Sequence, residues 1–169
     1  MHRIKLAVIY LDLSEDDSEL LLQRPVAGVE LFDRLILTLN RSGLDKIIVI
    51  SRGLTFEENI KIESRIRKDN RFNGKLTWCD QENFLKEENG LEKIRLVAGP
   101  HGFLFISNNI VTTSHHVKNF IYNVMDSEVL EGKVVASELL ILTYRGVRSE
   151  LKSLLRVFHF GTMRRKGIS

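Results

Sequence analysis

The sequence predicts an α/β domain: a mostly parallel sheet with helices on both faces, three layers in the Rossmann-like manner. Three observations predict it. Short β-rich apolar runs recur at 4–10, 46–50, 75–79 and 103–107. The stretches between them carry helical periodicity and capping signals. The length of 169 residues, 43% hydrophobic and 28% charged, gives one domain with a substantial core. Strands alternating with helices imply right-handed crossovers, and ligands then sit beyond the carboxyl ends of the strands. We expect a single domain over 1–169, ending in a basic helix and tail from about 147.

Each element has its own justification. "IKLAVIY" (4–10) reads as a buried first strand. In "LFDRLILTLNRSG", Leu31, Phe32, Leu35, Ile36 and Leu39 share one helical face, and Gly43 is placed to end the helix. "KIIVI" (46–50) is the second strand. Thr55 and Glu58 form a capping-box pair ahead of the charged helix "ENIKIESRIRKD". "KLTWC" (75–79) is the third strand, and 82–97 is helical in pieces broken at Asn89-Gly90. "FLFIS" (103–107) is the fourth strand. Ser114 is expected to cap an amphipathic helix whose apolar side is Val117, Phe120, Ile121, Val124 and Met125. "KVVA" and "LLILT" add one or two strands, and 147–158 is the last helix.

Several function classes fall away on composition. The apolar run in "MHRIKLAVIYLDL" is too short for a signal-peptide core and is followed by acids. No stretch reaches the length of a membrane span. Cys79 is the single cysteine, so no internal disulfide forms and a cytoplasmic setting is expected. The net charge of +3 is unevenly spread. From Arg145 to Ser169 seven Lys or Arg face Glu150 alone, a local +6, which leaves −3 for residues 1–144. A basic end on a mildly acidic body does not suit a nucleic-acid-binding domain.

"AVIYLDLSEDDSELLLQRPVAGVELFDRLILTLNRSGLDKIIVIS" (7–51) resembles the start of the nucleotidyltransferase superfamily with a GT-A-like fold. These enzymes join sugar or polyol phosphates to a nucleoside triphosphate, the inositol-phosphate cytidylyltransferase type among them. The family shows a strand, a Gly-rich loop, a KPL motif, a short turn, a helix ending in Gly and a further strand. Here "RPV" stands at the KPL position and "AGVELFDRLILTLNRSGLDKIIVI" follows the rest. "FLFISNN" lies where the family has a strand ending in a metal-binding Asp, so the resemblance covers about 4–125.

The catalytic motifs depart from the family pattern. Its glycines let backbone N–H groups close on the triphosphate, but "LDLSEDDSELLLQ" has no glycine between Leu11 and Gln23. It carries Asp12, Glu15, Asp16, Asp17 and Glu19, which would repel a triphosphate. This loop reads as a solvated turn or a site for a cationic partner. Arg24 takes the place of the family's phosphate-contacting lysine; it can bind phosphate bidentately or pair with the neighbouring acids. Ser107, Asn108 and Asn109 offer neutral oxygens where Mg²⁺ would need a carboxylate. Retained phosphate or nucleotide contacts would fall to Asp12, Leu13, Arg24, Ser107, Asn108 and Asn109.

The basic end supplies a second candidate surface. Arg148, Lys152 and Arg156 recur every four residues, and Arg164, Arg165 and Lys166 follow. The helix either docks on its own sheet or meets an acidic protein or an anionic membrane. The five histidines lack chelating spacing, since His115 and His116 are adjacent. No metal site is therefore expected outside a retained Mg²⁺ site. The first expectation is a degenerate, non-catalytic nucleotidyltransferase-like domain acting in binding, regulation or assembly. One alternative is an active nucleotidyltransferase that takes CTP or another nucleoside triphosphate and a sugar or polyol phosphate, with Mg²⁺, at a rearranged site. Another is the N-terminal domain of a membrane-associated CDP-alcohol phosphotransferase-type protein, a class that some similar chains belong to.

Overall fold

The computed structural model describes residues 4–13, 24–86, 89–98, 102–107, 112–126, 133–136 and 139–142. Their elements run β1 (Leu6–Asp12), β2 (Pro25–Val26), β3 (Val29–Glu30), α1 (Leu31–Arg41), β4 (Lys46–Arg52), α2 (Phe56–Lys68) and β5 (Lys75–Asp80). Then come α3 (Gln81–Lys86), α4 (Asn89–Ala98), β6 (Phe103–Ser107), α5 (Ser114–Asp126), β7 (Lys133–Ala136) and β8 (Leu139–Leu142). One sheet has the order β5-β4-β1-β6-β8-β7, and β2 pairs with β3 apart from it.

The first four strands of that order are parallel, as an α/β pattern requires. β8 runs antiparallel to both β6 and β7, which closes the far side. The chain steps outward from β1 to β4 and β5, then returns across β1 to β6. Strand order therefore reverses between β1 and β6, the point at which open α/β sheets generally take ligands beyond the carboxyl ends of the strands.

Alternation along β1 explains the two cores. Ala7, Ile9, Leu11 and Leu13 face one layer with Phe32, Ile36 and Leu39 of α1, Ile62 and Ile66 of α2, and Val117 and Phe120 of α5. Leu6, Val8 and Tyr10 face the other, with Phe84 of α3 and Ile94 of α4. Helices thus cover both faces. A strand buried on both faces is a near-continuous apolar run, the pattern of 4–10.

The helix ends follow their sequence signals closely, with two differences. After α1, Leu44 N–H donates to Leu39 O and Gly43 N–H to Asn40 O, with Gly43 at φ 93°. That is the Schellman pattern, and the glycine supplies its left-handed residue. Thr55 and Glu58 form both bonds of the capping box at α2. At α5, however, the cap is Thr113. Its hydroxyl accepts from His116 N–H at 3.2 Å, three residues on, while Ser114 is already helical. Asn89-Gly90 likewise opens α4 instead of breaking a helix. Among the described residues, no helix is long and apolar enough to cross a membrane.

Candidate functional site

The carboxyl ends of β1 and β6 bring together part of the expected site. Asp12 closes β1, and Leu13 follows it, buried, with its N–H donating to Arg52 O at 2.9 Å. Ser107 closes β6 beside β1, in register with Tyr10. Asn108 and Asn109 lie outside the described residues, as do the acidic segment 14–23 and Arg148, Lys152, Arg156, Arg164, Arg165 and Lys166.

Arg24 is exposed at the base of a tight hairpin. Pro25 pairs with Glu30 and Val26 with Val29, around a two-residue turn of Ala27 at φ 51° and Gly28 at φ 77°. Two consecutive positive φ values match the strand twist, as in the hairpin turns of type I′. Leu31 N–H donates to Arg24 O at 3.2 Å, so the first residue of α1 ties off the hairpin. Among the described residues, Arg24 has no ion pair.

Around this point the polar side chains of the rim bond to one another. Trp78 Nε1 donates to Ser51 Oγ at 2.9 Å, and Ser51 Oγ donates to Asn59 Oδ1 at 3.1 Å. Ser51 is fully buried, and the Trp78 ring meets Phe32 edge-on at 5.8 Å between centroids. On the other face, Tyr10 Oη donates to Gln81 Oε1 at 2.8 Å. Asp80, at the end of β5, accepts from Glu82 N–H at 2.8 Å and Asn83 N–H at 3.3 Å, which makes it the N-cap of α3.

A half-buried ionic cluster joins the hairpin to the helices. Arg65 of α2 grips Asp33 with two hydrogen bonds, Nε to Oδ2 at 2.7 Å and Nη2 to Oδ1 at 2.8 Å. The same Nη2 contacts Glu30 Oε2, a buried atom that accepts no directed hydrogen bond among the described residues. Burial works against the Arg65 charge, but the Asp33 bonds and charge and the Glu30 contact outweigh it and raise its pKa. Sequence reading missed this cluster. The signal was Asp33 itself, an acid on the apolar stripe of α1, which needs a buried partner.

A Mg²⁺ ion at the carboxyl ends of β1 and β6 would need carboxylate or phosphate oxygens. Strand β1 ends in one carboxylate residue, Asp12; β6 ends in Ser107 and the sequence continues with two amides. Asp80 is two strands away and engaged as a cap. Among the described residues, this donor set does not fit a two-carboxylate cation site. Among the described residues, no three His, Cys, Asp or Glu side chains converge.

No protein-family model matches the chain, and no curated protein matches its sequence. Its structure is similar to that of HddC from Yersinia pseudotuberculosis. The TM-score is 0.55 at 16% identity, over 84% of this chain and 78% of that one. The likeness is one of fold: a sheet with four parallel strands and helices on both faces.

Proposed function

We propose that this domain has lost nucleotidyl transfer and serves in binding, regulation or assembly. The observation that carries the reading is the end of β6. It lies beside β1 at the point where strand order reverses and ends in Ser107, which the sequence follows with the amides Asn108 and Asn109, and transfer chemistry would need an anionic metal ligand there. The missing glycines between Leu11 and Gln23 act in the same direction, because side chains there keep the backbone from closing on phosphates. Transfer of a nucleotidyl group from a nucleoside triphosphate to an acceptor phosphate, with pyrophosphate leaving, depends largely on metal and donor groups that offset developing charge, so both losses strike the same step.

A second reading is favoured by Arg24, exposed on a preformed hairpin. A guanidinium can hold phosphate bidentately without any metal. In that reading the domain binds a nucleotide or a sugar or polyol phosphate through Arg24. Asp12 would be the remaining carboxylate if transfer also survived with Mg²⁺.

Calorimetric titration with CTP, ATP, GTP and UTP, each with Mg²⁺, separates the readings. Binding of one nucleotide, lost in Arg24→Ala, would establish the anion site; product formation with a sugar or polyol phosphate would overturn the loss of transfer. Absence of both leaves a scaffold without transfer chemistry, whose partner is then to be sought elsewhere than among nucleotides.

A further inference from the structure

We propose that Arg65 is a positioning residue for Arg24: through Glu30 and Asp33, it locks the hairpin that presents Arg24 onto helix α2. The inference rests on the anion-binding reading of Arg24. A ladder of two residues per strand is not stable on its own, so something must hold Pro25–Glu30 to the body. Its chain continuation, α1, is packed through Phe32, Ile36 and Leu39. Among the described residues, the hairpin itself has one charged tie, from Glu30 to Arg65.

Asp33 alone would suffice to bind α1 to α2, because its bidentate contact already uses Nε and Nη2 of Arg65. The second branch adds something different. Glu30 is the partner of Pro25 in the ladder, one residue from Arg24, and it directly precedes the Leu31 N–H that holds Arg24 O. Glu30 and Asp33 are three residues apart at the start of α1, and their like charges repel. One guanidinium between them reverses the sign of that interaction. Its planar fork can meet both carboxylates at once, which an ammonium on a flexible stem does less well. The exposed cation at Arg24 is thereby carried on a rigid mount, and an anion would meet it with little ordering left to do.

The test compares Glu30→Gln, Asp33→Asn and Arg65→Lys with the wild-type chain by amide hydrogen exchange. Val29 and Leu31 report the hairpin, and Ile48, Val49 and Ile50 of β4 serve as the internal reference. Glu30→Gln should speed exchange at Val29 and Leu31 by about tenfold, the equivalent of one charge-assisted contact, with β4 unchanged and the thermal midpoint near wild type. Asp33→Asn should lower the midpoint more than Glu30→Gln does. Arg65→Lys should retain part of the fold stability but loosen the hairpin. Unchanged hairpin exchange in Glu30→Gln would overturn the proposal, as would equal acceleration in β4. A parallel titration uses CTP with Mg²⁺, and inorganic triphosphate without it. Binding lost in Arg24→Ala and weakened in Glu30→Gln supports the positioning role. A loosened hairpin in a chain that binds neither compound supports the tie and overturns the anion-binding reading of Arg24.

Discussion

The two rims of the sheet are built differently. At the amino rim, main-chain bonds and close packing do the joining. Lys46 N–H donates to Lys5 O, and Lys75 N–H to Asp45 O at 2.7 Å. Asn40 Oδ1 accepts from Asn73 N–H, and Gly74 is pressed against Asn40 and the Asp45 carbonyl. At the carboxyl rim, side chains do the joining, in the Trp78–Ser51–Asn59 chain, the Tyr10–Gln81 bond and the Asp80 cap. One rim closes the fold mainly with its backbone. The other is held by side chains that bond largely to one another.

The comparison can be broken most severely at Gly74. A Cβ there would stand 2.9 Å from Asp45 O and from Asn40 Nδ2. Gly74→Ala should therefore cost about 1–3 kcal/mol, the range for overpacking, read as a lower denaturant midpoint. Equal stability would mean that the amino rim is not the tightly closed one. At the carboxyl rim, Trp78→Phe removes the bond to buried Ser51 and should cost about 1 kcal/mol. If it costs as much as Gly74→Ala, the rims do not differ in tolerance. Ala27→Gly sharpens the contrast in the opposite direction. Relief of a positive φ should stabilise the chain by up to about 1 kcal/mol, measured by chemical denaturation.

The smallest effect concerns pH. Hydrogen bonds from the Arg71 side chain and backbone hold the Asp69 pKa at about 2, below 3.8. A depressed carboxylate stabilises the fold above its unfolded pKa, and that contribution is lost as pH falls from about 3.8 through about 2. Carboxyl chemical shifts followed over that window should titrate near 2, with little change in stability because solvent screens the pair. A midpoint near 3.8 would show that the Arg71 contacts do not form.

How much was legible follows from what a one-dimensional pattern encodes. The buried strands and α1 announced themselves because each must be apolar on a face that solvent never reaches. The Schellman end of α1 and the capping box at α2 were equally readable, being contacts within a few residues. The cap at Thr113 was missed by one residue because Thr113 and Ser114 carry the same hydroxyl chemistry. The Arg65 cluster and the Trp78–Ser51–Asn59 chain were not legible in partnership, since their members are 8 to 35 residues apart. The amides after β6 could be read as residue types. Only the strand order could put Ser107 beside β1.

Arg67 bears on how copies of this chain can meet. It bonds Glu63 within α2 and also donates to the main-chain oxygen of Leu76, in the outermost strand β5. A strand with nothing beside it is a template on which another molecule can add a strand and start a fibril. A bulky cation seated on that strand raises the cost of such templating. Strand addition at β5 is accordingly disfavoured at Leu76.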